Sequence, residues 1–310
     1  CMGNGKMCAY GQGPDIVQLF GPPYSSPSLI SILLQGENIS ANSSPIDGTA
    51  IWTHLLKNSN QENAEISDFV DADTACFCRR IRSDFPLKFS VILEKDVLVV
   101  DNGELFSNRG FTGGYLFYSK AGAYFYNDYP LNKKIYFQLL LSGGMRATNK
   151  DGTIEISAEK GPSELYMIGG DEYPDCCVNV EKAIKTGFDA MYRQTEDFWK
   201  KFSAGKKDFS GLAKPGTPLK SEYLGVLNSV PVLIKAQQSV EGGVLAGHRY
   251  HMAFVRDQYG VFRCLLKLGY FEEAKNILLY YWHIWKKEGR ICNAQSMGEP
   301  IAFHIHENED

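Results

Sequence analysis

The sequence has 310 residues, of which 44% are hydrophobic and 22% are charged, a composition typical of a globular protein with a sizeable core. The net charge of −4 argues against a surface that binds nucleic acid or an anionic membrane. No apolar run approaches the roughly 20 residues of a membrane-spanning helix, and no signal-peptide pattern is visible. We therefore expect neither a nucleic-acid partner nor a membrane partner.

The eight cysteines lack the spacing of a disulfide framework. Cys76 and Cys78 are separated by one residue, and Cys176 and Cys177 are adjacent, so bridges within either pair are unfavourable. A chain of this size also needs no disulfides to stabilise its core. The cysteines therefore favour a reducing, cytoplasmic location, while a lipid-anchored Cys1 and secretion stay open as alternatives.

Residues 1–175 predict an antiparallel β-sandwich. Short segments rich in branched and aromatic residues are separated by glycine-rich turns, which favours a sandwich over βαβ units. The first 65 residues, rich in glycine and proline, predict loops. Residues 114–126 predict a hairpin around Lys120-Ala121-Gly122, and Ser142-Gly143-Gly144 predicts a turn. The predicted strands are 87–93, 97–100, 114–119, 123–126, 134–141, 145–148, 152–156 and 164–168.

Residues 176–310 predict helices. Apolar residues recur at helical spacing, and glycines follow the ends of the predicted segments. The predicted helices are, in order, 184–204 before Gly205, a segment from Pro218 that kinks at Pro231, 258–268 before Gly269, 271–288 before Gly289, and a fifth that begins near Glu307.

Arg256 and Asp257 stand at the start of a helical segment that is rich in aromatic residues and histidine. Asp can accept two hydrogen bonds from hydroxyl groups while Arg orients it through a bidentate pair, which suits a polyhydroxylated ligand such as a sugar. The alternative is a structural ion pair, because an acidic side chain is favourable in the first turn of a helix. On the residues alone, both interpretations stay open.

Three features within residues 248–310 resemble glucoamylase-like glycosidases. They are Val255-Arg256-Asp257 at a helix start, the segment 269–274 between two helices, and Met297-Gly298-Glu299-Pro300 before an acidic helix entry. The resemblance implies a β-sandwich over 1–175, followed over 176–310 by the first helices of an (α/α)6 barrel. It also implies an inverting glycoside hydrolase that acts on α-linked glucosides or oligosaccharides, without a cofactor or a metal ion.

The same resemblance implies roles for individual residues. Arg256 and Asp257 are expected to bind hydroxyl groups of the sugar in the terminal subsite, with Tyr250, His306 and Glu307 as further substrate contacts. Glu307 has two other interpretations, as a catalytic acid or as a helix-cap acid. Because the family's acid and base come later in the barrel, we expect the catalytic carboxylates, and a C-terminal half of the barrel, beyond residue 310.

The sequence also allows other kinds of site. His248, His251, His304 and His306 could supply the three or four ligands of a zinc ion, but their loose spacing favours hydrogen bonds to a sugar. An inverting sugar phosphorylase shares the expected architecture and stays open, as does a carbohydrate-binding module without catalysis. The sequence contains neither a phosphate-binding loop nor a serine nucleophile elbow, which argues against nucleotide and acyl-transfer chemistry.

Overall fold

The computed structural model describes residues 1–120, 134–208, 220–247 and 251–298, with two short strands at 125–126 and 129–130. The strands in this part of the chain are β1 (Met2–Gly3), β2 (Cys8–Gln12), β3 (Asp15–Phe20), β4 (Ile30–Gln35), β5 (Ser40–Pro45), β6 (Trp52–Lys57), β7 (Asn63–Val70), β8 (Cys76–Ser83), β9 (Leu87–Leu93), β10 (Leu98–Asp101), β11 (Phe111–Tyr118), β12 (Phe125–Tyr126), β13 (Tyr129–Pro130), β14 (Tyr136–Lys150), β15 (Thr153–Gly170), β16 (Ala253–Phe254) and β17 (Ala294–Gln295). The helices are α1 (Glu104–Ser107), α2 (Tyr173–Thr186), α3 (Phe188–Ala204), α4 (Lys220–Gln237), α5 (Val255–Leu268) and α6 (Phe271–Glu288).

A long hairpin, β14–β15, organises the β region, in which 13 strands form one antiparallel sheet. Residues 153–158 of β15 pair with β9, whereas residues 161–168 pair with β8. A bulge between Gly143 and Met145 interrupts the register of β14 opposite this change of partner, and bulges let strands bend. The hairpin thereby joins a first sheet part, β1–β4 with β9, to a second sheet part, β5–β8 with β10 and β11.

Alternating side chains of the second sheet part pack into two separate clusters. Phe77 belongs to a buried cluster that includes Phe89 of the first sheet part. Its neighbours Cys76 and Cys78 belong to a cluster that includes Trp199 of α3 and residues of α2 and α4. Because successive side chains of a strand point to opposite faces, the second sheet part forms a middle layer between the first sheet part and the helices.

The predicted order, an antiparallel β region followed by helices, is confirmed, and the change lies between Gly170 and Tyr173. One detail of the helices differs from the prediction. The expected single helix over 184–204 is two helices, α2 and α3, separated at Gly187, whose φ of 73° and ψ of 162° do not continue a helix. Pro231 lies inside α4, which continues to Gln237, and the kink expected at this residue stays a prediction.

The hairpin α5–α6 agrees closely with the sequence pattern. α6 has the predicted bounds, and α5 begins three residues earlier than predicted, at Val255. Gly269 and Gly289 end the two helices in the left-handed conformation that favours glycine at this position. No helix in the described part of the chain is long and apolar enough to cross a membrane.

Several predictions for the β region are wrong. The first 65 residues are not mainly loops, because β1–β6 lie within them and β7 begins there. The predicted turn at residues 142–144 is the bulge within β14, and the segments 152–156 and 164–168 belong to the single strand β15. The predicted hairpin at 114–126 is also wrong, because β11 pairs with β10 and β14.

Candidate functional site

Arg256 and Asp257 lie in the first turn of α5, and both side chains are exposed. The ion pair predicted between them is not formed, and neither side chain makes a salt bridge within the described ranges. Burial raises the pKa of Tyr281 on α6, and the negative charge of Asp257 raises it further. The Asp257 carboxylate therefore acts on a neighbouring phenol while it stays open to solvent.

The start of α5 is fixed to the segment that follows α6. Ala253 and Phe254 of β16 pair with Gln295 and Ala294 of β17. The next backbone amide, that of Val255, donates a hydrogen bond to the carbonyl oxygen of Asn293 at 2.9 Å. Backbone hydrogen bonds thus hold the residues immediately before Arg256 against residues 293–295.

A buried glutamine attaches the loop between α4 and α5 to the same helix start. The side-chain nitrogen of Gln258 donates to the carbonyl oxygen of Val244 at 2.6 Å, and its side-chain oxygen accepts from the backbone amide of Val244 at 2.9 Å. Gln238 donates to the carbonyl oxygens of Gly242 and Glu273 at 3.0 and 2.9 Å. The first turn of α5 is therefore bounded by a loop with a defined backbone path.

The β region contacts these segments through Ser25, which is 1% exposed. Its backbone amide donates to the carbonyl oxygen of Met297 at 2.8 Å, and its hydroxyl accepts from the amide of Met297 at 2.7 Å. Its carbonyl oxygen accepts a hydrogen bond from Nδ1 of His251 at 2.9 Å. One residue of the β region therefore binds both the segment before α5 and the segment after α6.

His251 is a buried packing residue and not an open ligand. It stacks on Phe20 with ring centroids 5.3 Å apart, and burial lowers its pKa to about 4. Since a carbonyl oxygen only accepts, Nδ1 carries the proton. Of the proposed zinc ligands, His248, His304 and His306 lie outside the described residues, and within those residues no group of three metal-ligating side chains could hold a metal ion.

Three predicted substrate contacts, Tyr250, His306 and Glu307, lie outside the described residues, as does the start of the predicted fifth helix. Of the predicted substrate-binding residues, the structure describes only Arg256 and Asp257, together with the loops around them. Sequence reasoning did not identify Ser25 or Gln258. The only local signal near Ser25 was Gly21-Pro22-Pro23, which predicted a loop.

Two cavities lie elsewhere. One of about 300 Å³ lies between the β region and the helices, and its lining includes Tyr24, Asp175, Glu241 and Gly298. Another, of about 510 Å³, is lined only by residues of the β region, which are Leu55, Leu56, Asn63, Ala64, Glu65, Arg82, Ser83, Asp84, Gly161 and Pro162. Because neither lining contains Arg256 or Asp257, cavity size alone does not locate the predicted sugar site.

Comparison with known proteins finds a similar fold but no similar sequence. No family model matches the chain, and no curated protein sequence matches it. The fold is similar to that of a bacterial glucoamylase complexed with acarbose, with a TM-score of 0.65 and 13% sequence identity. The match covers 96% of this chain and 51% of that protein, so this chain spans about half its length. The likeness establishes a glucoamylase-like fold.

Proposed function

We propose that this protein is a glycoside hydrolase of the glucoamylase-like type, acting on α-linked glucosides with inversion. In this proposal the β region and α2–α6 supply part of the enzyme, and the first turn of α5 supplies one sugar subsite. The observation that carries the proposal is the exposed Arg256-Asp257 pair at a helix start, in a chain whose fold is similar to that of a glucoamylase crystallised with acarbose.

The chemistry of the pair supports a sugar ligand. Both side chains are exposed and make no salt bridge to a described residue, so the Asp257 oxygens can accept hydrogen bonds from hydroxyl groups and the Arg256 guanidinium can donate them. Hydrogen bonds to charged groups are stronger than neutral ones. Tyr250, His306 and Glu307 are proposed as further contacts to the same ligand.

Inverting hydrolysis needs a general acid and a general base whose carboxyl groups are about 6.5–9.5 Å apart. We assign neither role to Asp257, whose proposed role is substrate binding. Both carboxylates are proposed to come from the C-terminal half of an (α/α)6 barrel, and Glu307 is kept as an alternative candidate for the acid.

The apolar surface of α6 supports a further packing partner. Leu278, Trp282 and Trp285 lie on one side of this helix and are 55%, 51% and 49% exposed. Large exposed apolar patches are typical of interaction surfaces. We propose that further helices of the barrel pack on this surface.

Replacing Arg256 with Ala is expected to weaken acarbose binding about tenfold or more, because charge-assisted hydrogen bonds to the sugar are lost. The affinity can be measured by isothermal titration calorimetry. The matched control is Arg263→Ala, which removes the same side chain from an exposed position about two turns, or about 10 Å, further along α5. Equal affinities of the two variants would contradict the subsite assignment.

A second experiment distinguishes hydrolysis from phosphorolysis. The full-length protein, including the proposed C-terminal half of the barrel, is incubated with maltooligosaccharides with and without inorganic phosphate, and the products are followed by NMR. The proposal predicts β-glucose in both conditions. A sugar phosphate formed only with inorganic phosphate would identify a phosphorylase, and binding without any product would identify a carbohydrate-binding module.

A further inference from the structure

The loop 21–26 of the β region makes a close contact with the segment that follows α6. Besides its two hydrogen bonds to Ser25, this segment approaches the loop at Gly298, whose φ is +75°. A Cβ atom at Gly298 would lie 2.8 Å from the backbone nitrogen of Tyr24 and 3.0 Å from Cβ of Pro23. The two backbones are therefore packed together with no room for a side chain.

Ser25 reaches the proposed sugar site by two routes. Through Met297 it holds the segment whose β17 strand pairs with β16, directly before α5. Through His251 it holds the other end of the segment that leads into α5. Because both routes end within residues 251–254, immediately before α5, we expect a displacement of Ser25 to move the residues that present Arg256 and Asp257.

The neighbouring Ser26 provides a comparison within the same loop. It is also 1% exposed, but its hydroxyl accepts a hydrogen bond from the amide of Gly21 at 3.2 Å, within the loop itself. The Ser25 hydroxyl instead accepts from Met297, 272 residues further along the chain. The hydroxyls of two adjacent serines with the same burial therefore have different partners, although the backbone of Ser26, like that of Ser25, also interacts with His251.

We propose that loop 21–26 of the β region is an integral part of the sugar site, and that Ser25 is a positioning residue for the first turn of α5. The β region then affects sugar affinity through the contacts of this loop with the segments beside α5. This inference rests on the proposed function in one respect only, which is that the ligand of Arg256 and Asp257 is a sugar.

The test compares Ser25→Ala with Ser26→Ala by acarbose titration and by thermal unfolding. Both variants lose one buried hydrogen bond, so similar losses of stability are expected. Acarbose affinity should fall about fivefold in Ser25→Ala and stay within about twofold of the wild type in Ser26→Ala. Gly298→Ala should also weaken binding. Equal acarbose affinities of the two serine variants would overturn the proposal.

Two further measurements keep the test decisive. If Ser25→Ala does not fold, Ser25→Cys, which retains a weak acceptor, takes its place in the same comparison. If the wild type binds neither acarbose nor maltooligosaccharides, the proposed function fails, and hydrogen exchange of the Val255 amide, which does not bond to Ser25, still tests the positioning role. Faster exchange in Ser25→Ala than in Ser26→Ala supports that role, and equal exchange overturns it.

Discussion

Replacing Arg79 with Met is expected to destabilise the protein by about 3–5 kcal/mol, because the substitution leaves an unpaired carboxylate in the core. The Arg79 side chain is fully buried, and its Nε and Nη2 atoms donate to the two oxygens of the equally buried Asp68 at 2.8 and 2.6 Å. Nη2 also donates to the carbonyl oxygen of Pro14 at 2.5 Å.

The pKa of Asp68 reflects the same pair. Burial raises the pKa of this carboxyl, but the charge and hydrogen bonds of Arg79 outweigh burial and hold it below its ordinary value. His54 lies 3.3 Å from Asp68, and its Nδ1 atom is 2.7 Å from the hydroxyl oxygen of Ser43. The network therefore crosses four neighbouring strands, β5 to β8, and its loss should affect the whole second sheet part.

The free energy of unfolding can be measured by urea denaturation for Arg79→Met, for Asp68→Asn and for a matched control. Asp68→Asn should also be strongly destabilising, because it leaves the Arg79 cation unpaired. The control is Arg109→Met, which removes a bidentate pair of the same type with Glu181 at the surface and should leave the denaturation midpoint close to that of the wild type. Equal midpoints for Arg79→Met and Arg109→Met would contradict this account of the core.

The second large expected effect is a loss of stability on the order of 3 kcal/mol as the pH falls from about 6.5 to about 4, caused by His251. Burial lowers the pKa of His251 from 6.5 to about 4 in the folded protein. Between these values the unfolded chain binds a proton at this residue and the folded chain does not. Protons therefore favour unfolding in this window, and stability is recovered as the pH rises through it.

The variant His251→Asn tests this prediction, because an asparagine amide can donate to the carbonyl oxygen of Ser25 but does not titrate in this range. The free energy of unfolding is measured against pH for the wild type and the variant. Other titrating groups contribute to both curves, so their difference isolates His251. The difference should change steeply between pH 4 and 6.5, and a constant difference would contradict the prediction.

Local sequence patterns predicted those elements whose boundaries depend on nearby residues. The strand β9 has the predicted bounds because a local run of branched and aromatic residues defines it. The helix α6 has the predicted bounds because the glycines at 269 and 289 flank it. The hairpin β14–β15 was missed because its continuity depends on partner strands, and glycines at a bulge have the same local signal as glycines at a turn. The strand β5, with the sequence Ser-Ala-Asn-Ser-Ser-Pro, has no apolar pattern and is defined by its pairing with β6.

Only the local part of the candidate site could be predicted from the sequence. An acidic and a basic residue at a helix start could be recognised from the sequence, and the structure has both side chains exposed in the first turn of α5. The contacts that hold this turn were not predictable. Ser25 is 226 residues from His251 and 272 residues from Met297. Only the packing of the β region against the helices brings these residues together.

The three-layer arrangement explains how Ser25 of the β region comes to contact His251 and Met297. The second sheet part packs on the first sheet part with one face and on α2–α4 with the other. The loop 21–26, which follows β3, instead contacts the segments beside α5 and α6. A β region that is packed in this way can hold the proposed sugar site in a defined geometry.

A crystal structure of the protein with acarbose tests the central claim most directly. The account predicts a sugar ring at the first turn of α5, with its hydroxyl groups within hydrogen-bond distance of the Asp257 carboxylate and the Arg256 guanidinium. Acarbose bound elsewhere, for example in the cavity lined by Leu55 and Arg82, with no sugar beside Arg256 and Asp257, would contradict it.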